Sequence, residues 1–456
     1  MDAHRVCVVG SGYVGTVVAG CLAYIGHDVM AVEIDPIKLE SLRTGTPHFF
    51  EPGLSEILRD GLAAGRLDFT DEMRRGVEGA DVIFICVETP TTASGHPDMS
   101  SVAAAARSVG AHLKGHQVIV TKSTVPIGSG QWLETVLEDA SDNGAGAGGF
   151  SVVSNPEFLR EGTAVEDFLY PDRVVIGSED DRALDVVESI YRPVLSQDFS
   201  TGRDLAPTLV RTDLATAETI KYAANAFLAT KISFINEIAG IAERVGADVI
   251  GVADAIGLDH RIGRAFLGAG VGWGGSCFGK DLDALSATAR DYGLDPLILE
   301  AVREVNIRQR HVIVEKLQDH LASLRGRRIA LLGIAFKPGT DDLRDAPAID
   351  IARRLSRLGA SVAGYDPVVK DVPDAPDLAV CGDALEAVDR ADAVVLVTDW
   401  PEFRDLDWAE IAEAMRGRLL LDGRNFLDDA AIKRAGLRYE GIGRRVRATE
   451  RTSLRI

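Results

Sequence analysis

The stretch RVCVVGSGYVG, Arg5 to Gly15, decides the fold. Its apolar start can form a short strand buried on both faces, and Gly10, Gly12 and Gly15 follow with the spacing GxGxxG, directly before a helix-forming stretch. In that context the first glycine allows a tight turn, the second lets a pyrophosphate approach the backbone, and the third lets helix pack on strand. The helix N-terminus then presents unpaired N–H groups and a positive dipole end to phosphate. Either Glu33 or Asp35, at the end of the next apolar run HDVMAVEID, can accept hydrogen bonds from a ribose. An acid there repels a 2′-phosphate, so the expected dinucleotide is NAD.

Working outward, ADVIFICVETP and HQVIVTKSTV repeat the pattern of buried parallel strands separated by amphipathic segments, which implies a sheet wound on both faces. NGAGAGG, Asn143 to Gly149, reads as a surface turn before the strand FSVVSNPEF. From about Thr212 to Val245 the chain loses its prolines and most of its glycines, and apolar residues recur at three and four. This predicts one long helix or two in tandem, with Gly246 as the stop. A helix of ~30 residues would span ~45 Å, enough to link two domains and to offer a dimer surface. After Arg327 the opening pattern returns as RIALLGIAF, SVAGYDP and ADAVVLVTDW. The fold expected is therefore α/β, two Rossmann-like doubly wound domains joined by a long central helix. Its divisions are 1–205 for the dinucleotide, 206–325 for the helical centre and dimer surface, and 326–456 for the second sheet. The turn GIAFKPG lacks the close-approach glycines and carries a lysine, which suits a nucleotide-bearing substrate; repetition of the sheet without binding is the alternative.

Across 456 residues, 46% hydrophobic and 26% charged is the balance of a globular protein of two or three domains. No apolar run reaches the ~18 residues of a membrane span, and the N-terminus lacks the organisation of a signal peptide, so the cytoplasm is expected. Five scattered cysteines have neither disulfide nor zinc spacing and are expected as free thiols, with no metal. A net charge of −20 argues against nucleic acid as a partner, because that affinity rests on clustered Lys and Arg.

The chemistry concentrates in GVGWGGSCFGKD, where Gly272, Gly274 and Gly275 precede Ser276 and Cys277, and Lys280 and Asp281 follow. Such glycine density admits a bulky ligand and supplies N–H donors to an oxyanion, while a lysine favours the thiolate. Cys7, Cys21 and Cys86 sit in apolar runs and read as packing residues. Two further pairs stand out: Glu157 and Glu161 in SNPEFLREG, after a turn at Asn155-Pro156 that feeds a helix, and Lys221 and Asn225 one helical turn apart in ETIKYAANAF. By spacing alone a solvated surface pair is the ordinary reading of both.

Together these motifs resemble the UDP-glucose dehydrogenase family, within the UDP-glucose/GDP-mannose dehydrogenase superfamily. GSGYVG, FEPGL, STVPIG, NPEFLREGTAVEDFLYPDRVVIG, ETIKYAANAF, GGSCFGKD, FKPGTDDLRDAP and DGRNF occur in the family's order over almost the whole chain. The resemblance implies a homodimer or higher homo-oligomer and the reaction UDP-glucose + 2 NAD⁺ + H₂O to UDP-glucuronate + 2 NADH. It implies Cys277 as nucleophile, Lys221 and Asp281 as its helpers, and Glu157 as the residue that directs the hydrolytic water. Thr124 falls where a threonine meets that water and the cofactor, and Asn225 where an asparagine meets the substrate. Cofactor contacts fall on Gly10, Gly12, Tyr13, Val14, Gly15, Glu33 rather than Asp35, Lys38, Thr89, Glu161, Lys280 and Arg344. Contacts to the nucleotide sugar fall on Phe158, Leu159, Arg261, Phe266, Leu267, Gly274, Lys337 and Arg424. Gly279 stands where the family usually has proline, and Glu33 where a shorter aspartate is commoner.

The implied mechanism oxidises a primary alcohol, traps the aldehyde as a thiohemiacetal on Cys277, oxidises it again to a thioester and hydrolyses that. The same chemistry on GDP-mannose or UDP-N-acetylmannosamine is the near alternative. A two-electron hydroxy-acid or imine reductase shares the fingerprint but needs neither the thiol nor a third nucleotide-type domain. A non-enzymatic NAD sensor has no use for a thiol, Lys280 and Asp281 beside four glycines.

Overall fold

The computed structural model describes residues 3–141, 149–197, 199 and 206–444. The predicted turn NGAGAGG lies outside the described residues except for Gly149. By its contacts the chain forms two compact units, Met1–Ala224 with Asp283–Leu294, and Asn225–Leu282 with Asp295–Ile456.

The strands of the first unit are β1 (Arg5–Val9), β2 (Asp28–Val32), β3 (Leu67–Thr70), β4 (Val82–Ile85), β5 (Gln117–Thr121), β6 (Phe150–Ser154), β7 (Arg173–Gly177) and β8 (Thr208–Thr212). They form one sheet in the order β3-β2-β1-β4-β5-β6-β7-β8, parallel except for a single antiparallel pairing of Ser154 with Gly177. Alternation along β1 shows why the run is apolar throughout. Val6 and Val8 enter one core while Cys7 and Val9 enter the other, and Val82 with Phe84 divides from Ile83 with Ile85 in the same way on β4. A strand covered on both faces by helices has no side left for polar residues.

The second unit repeats the plan with β9 (Arg328–Leu332), β10 (Ser361–Tyr365), β11 (Leu378–Val380), β12 (Ala393–Leu396), β13 (Leu419–Asp422) and β14 (Arg438–Gly441), parallel in the order β11-β10-β9-β12-β13-β14. The same division recurs, with Ile329 and Leu331 in one core and Ala330 and Leu332 in the other. Both sheets reverse direction beside their first strand, the topological switch point at which such folds bind nucleotides.

A single helix, Leu214–Val245, links the two units and ends at Gly246, whose φ of +77° suits the left-handed residue that closes a helix. Among the described residues no helix is long and apolar enough to cross a membrane.

Candidate active site

In the first unit the turn after β1 folds as its glycines require. Gly10 adopts φ +90° and its N–H donates to Val32 O at 2.9 Å, tying the turn to β2. A Cβ on Gly15 would lie 1.8 Å from Gly10 O, so the third glycine is what lets the helix Tyr13–Tyr24 pack so close. Gly12 differs: a Cβ there would meet nothing within 4 Å. The chain leaves that space beside a helix N-terminus that has no side-chain cap, which is the cradle a pyrophosphate needs. The two acids differ in the partners they already hold. Asp35 is spent capping the helix Pro36–Arg43, accepting from Ile37 N at 2.9 Å and Lys38 N at 3.2 Å. Glu33 reaches back to the glycine turn, accepting from Ser11 N at 3.2 Å as well as from Asp35 N at 2.8 Å. Val14 packs on the core beside this turn. Tyr13 stacks on Phe49 at 4.6 Å and donates to Glu51, which also accepts from Gly162 N at 2.6 Å and Ala164 N at 2.7 Å. The FEPGL glutamate thus fastens the segment that follows buried Glu161 to the start of the first helix.

The loop after β6 and the central helix supply a buried pair. Lys221 Nζ donates to Glu157 Oε1 and to Glu157 O, each at 2.7 Å, and Glu157 Oε2 accepts from Leu159 N at 2.6 Å. Both side chains are under 8% exposed, so the pair is no surface decoration. Burial opposes ionisation of Glu157, but the ammonium of Lys221, the Leu159 N–H and Lys122 together hold its carboxyl below the ordinary carboxylate range. Two cations lie over the Phe158 ring, Arg173 3.8 Å and Lys221 5.6 Å from its centre. Asn155-Pro156 does turn the chain, but the helix it was expected to feed begins only at Ala164. Thr124 sits on a loop held by Thr89 and by the central helix: Thr89 Oγ1 donates to Thr124 O at 2.9 Å, Tyr222 OH donates to Val125 O at 3.0 Å, and Glu218 accepts from Gly128 N and Gly130 N. Burial pushes Glu218 up to about 7.

In the second unit the loop that carries Cys277 is clamped from two sides. Asn306 Oδ1 accepts from Trp273 N at 2.8 Å and its Nδ2 donates to Trp273 O at 2.9 Å. Arg310 donates to Trp273 O, to Asp345 O and to the Asp345 carboxylate. Gly274 and Gly275 are needed because a Cβ would lie 2.4 Å from Asp345 O and 2.6 Å from the Phe336 ring, respectively. Cys277 follows, partly exposed, with its Sγ 3.5 Å from Ser276 Oγ and its carbonyl accepting from Asp281 N at 2.9 Å as the first turn of helix Phe278–Asp291. The sulfur-bearing residue therefore stands at a helix N-terminus, where an anion is stabilised. Asp281 is 1% exposed; its Oδ2 accepts from Asn225 Nδ2 at 2.6 Å. The Lys280 ammonium stands 3.1 Å from Asp281 Oδ1 as a charge contact only, and that buried oxygen accepts no hydrogen bond. Gly279, in the place of the usual proline, lies against Arg303, whose Nη1 would be 2.9 Å from an added Cβ.

The turn after β9 copies the first one in outline, Gly333 N donating to Tyr365 O at 2.8 Å, but its acid is consumed. Asp366, fully buried at the end of β10, accepts from Ile334 N, Ala335 N, Val368 N, Val369 N and Trp400 Nε1. Five donors leave it nothing for a ribose. Lys337 lies 5.6 Å from the ring centre of Phe336. Arg424 donates to the carbonyls of Val397 at 2.7 Å, Gly272 at 3.1 Å and Phe336 at 3.3 Å, so its guanidinium staples the cysteine loop to the sheet. Arg261 and Arg344 are exposed and paired with Asp259 and Asp342. Phe266 holds φ +63°, rare for a bulky residue, with Leu267 buried beside it.

Sequence reasoning missed Lys122, Asn306, Arg310 and Asp366. The only available signal was the placement of Asp366 at the end of a second strand, matching Glu33.

A glycine-turn dinucleotide cradle with a buried carboxylate–ammonium pair in the first unit, and a thiol at a helix N-terminus in the second, are features of an NAD-dependent dehydrogenase. Comparison with known proteins agrees. Residues 4–195 match the NAD binding domain of the UDP-glucose/GDP-mannose dehydrogenase family, residues 215–308 its central domain and residues 330–429 its UDP binding domain. The UDP-glucose 6-dehydrogenase TuaD of Bacillus subtilis is 44% identical over 98% of this chain and 95% of its own. A UDP-glucose 6-dehydrogenase of Rhizobium meliloti is 45% identical over 96% and 99%. The solved UDP-glucose dehydrogenase from Pyrobaculum islandicum superposes with a TM-score of 0.87 at 38% identity, over 97% of this chain and 98% of its own. This chain belongs to the UDP-glucose/GDP-mannose dehydrogenase family. It is an NAD-dependent oxidoreductase whose substrate is a nucleotide sugar.

Proposed function

We propose that this chain oxidises the C6 alcohol of UDP-glucose to the carboxylate, with the carbon held on Cys277 between two oxidations. The observation that carries the proposal is the thiol at a helix N-terminus, four residues before a buried aspartate whose Oδ1 has no donor. Ordinary alcohol oxidation requires no such thiol, and a buried acceptor without a donor suits a hydroxyl or water that arrives with the substrate. UDP-glucose is favoured because relatives bearing that substrate in their names are 44% and 45% identical. A UDP-D-ManNAc dehydrogenase from Pyrococcus horikoshii is 28% identical.

In this reading residues 1–205 bind NAD, 206–325 carry the nucleophile and 326–456 hold the nucleotide. Gly10, Gly12, Gly15 and the uncapped helix hold the pyrophosphate and Glu33 the ribose. Bound there, NAD⁺ supplies the acceptor for the two electrons and the hydrogen that leave C6 in each oxidation. Asp281 Oδ1, directly or through a water, takes the hydroxyl proton, and the Lys221 ammonium stabilises the alkoxide. The thiolate of Cys277 then bonds to C6 of the aldehyde, and the C=O π pair moves onto oxygen, beside Lys221 and backbone N–H groups. Loss of the second hydrogen with its electron pair re-forms C=O and leaves a thioester. Glu157 accepts a proton from water as it attacks, the C–S bond breaks, and the thiolate returns. The balance is UDP-glucose + 2 NAD⁺ + H₂O giving UDP-glucuronate + 2 NADH + 3 H⁺. Counting NADH across a panel of UDP- and GDP-sugars tests both parts. Two NADH per UDP-glucose are expected, and one NADH, or a clear preference for another sugar, contradicts the proposal.

The chain also acts as a dimer in this reading. Phe227, Phe234 and Ile241 recur every seven residues along the central helix at 65%, 50% and 52% exposure, with Val245 beyond them at 71%. A stripe of that spacing on one helix pairs with its own copy. Light scattering should give twice the chain mass, and Phe234→Glu should reduce it; a monomeric wild type contradicts the assignment.

A further inference from the structure

Lys122, the residue just after β5, is a buried lysine with no role in the scheme above. Its Nζ donates to Asn155 Oδ1 at 2.9 Å and to Tyr191 OH at 3.1 Å, and Tyr191 OH donates to the same Asn155 oxygen at 2.6 Å. Asn155 is locked further, its Nδ2 donating to Val175 O at 2.7 Å and its N–H to Thr121 O at 3.0 Å. Two residues on stands Glu157. A cation held by neutral partners in a buried site costs several kcal/mol unless an anion faces it. The titratable groups facing Lys122 are Cys86 just past β4, Glu157 in the loop after β6, Lys221 of the central helix and Tyr191 of the helix Asp181–Ser196. Burial pushes Cys86 up to about 12 and Tyr191 higher still, so both are neutral at pH 7. Glu157 is the anion that remains.

We infer that Lys122 is a positioning residue for Glu157: through Asn155 it fixes the loop that aims the carboxylate, and its charge keeps that carboxylate ionised inside the protein. One carboxylate then faces two ammonium groups, and the surplus positive charge favours hydroxide over water at the same place. Burial lowers Lys122 to about 8, so it is charged at neutral pH and supplies this field below that value. The inference rests on the reading of Glu157 as the residue that directs hydrolysis.

Lys122→Gln keeps a hydrogen-bond donor for Asn155 and removes the charge, and Lys122→Met removes both. Removing the cation raises the carboxyl's folded pKa, so the acid limb of the kcat–pH profile should move upward by about one unit in either variant. The fraction of enzyme trapped as a Cys277 adduct at pH 6 should rise with it. Tyr191→Phe, which breaks a hydrogen bond of the same cluster but leaves the charge, should leave the limb in place. An unmoved limb with no added adduct in Lys122→Gln overturns the inference, as does an equal shift in Tyr191→Phe. Glu157→Gln is run alongside: failure of that variant to accumulate adduct rejects the covalent reading, whereas a shifted limb in Lys122→Gln still supports the electrostatic role of Lys122.

Discussion

Replacing Cys277 by serine should reduce complete conversion of UDP-glucose to UDP-glucuronate by about 10³-fold or more, the scale on which loss of a covalent nucleophile acts. The cost to folding should be small, because Cys277 is partly exposed and makes no disulfide, and serine retains a polar atom for Ser276. Binding of NAD⁺ should be nearly unchanged, since the cradle around Gly12 does not involve the thiol. What fails is the capture of the aldehyde, because a hydroxyl is a far weaker nucleophile than a thiolate at a helix N-terminus. Steady-state NADH production with product analysis reads the effect. Near-normal conversion by Cys277→Ser or Cys277→Ala shows that the cysteine is a packing residue.

The second large effect falls on the cofactor. At Gly12 the backbone has φ −69° and ψ −164°, open to any L-residue, and an added methyl would meet no protein atom within 4 Å. Gly12→Ala should therefore fold with an unchanged melting temperature. The methyl would instead stand where the pyrophosphate approaches the helix N-terminus, and NAD⁺ affinity should fall by about 100-fold, equivalent to roughly 3 kcal/mol. Gly15→Ala should behave in the opposite way and fail in the fold, because its methyl runs into Gly10 O. Calorimetric NAD⁺ titration beside thermal unfolding separates the two, and an unchanged Kd in a folded Gly12→Ala contradicts the placement of the cofactor.

Much of the architecture could be read from the chain because its determinants are local. A strand buried on both faces must be apolar throughout, and VCVVG and IALLG both are; a turn that packs helix on strand must have glycine where Gly15 stands. The site was legible only where the chemistry is crowded into one segment, as around Cys277. Glu33 and Asp35 were indistinguishable by position, and the structure separates them because Asp35 turns toward its own helix amides. Lys221 and Glu157 resembled solvated residues because their burial depends on a contact 64 residues away in sequence. Lys122 was hidden for the same reason, its partners lying 33 and 69 residues further on. Arg424 was expected at the nucleotide sugar; three of its five N–H groups are held by backbone carbonyls of distant segments. No spacing rule reveals partners of that kind.

The covalent route is tested most directly by Glu157→Gln. That variant keeps the thiol and the cofactor cradle and loses the carboxylate that takes the proton from water, so the reaction should stop at the thioester. Mixed with UDP-glucose and NAD⁺, quenched in acid and weighed intact, the enzyme should carry one UDP-glucuronyl group on Cys277, with two NADH formed for each adduct. Release of free UDP-glucuronate at the wild-type rate, with no added mass at any time point, would contradict the mechanism.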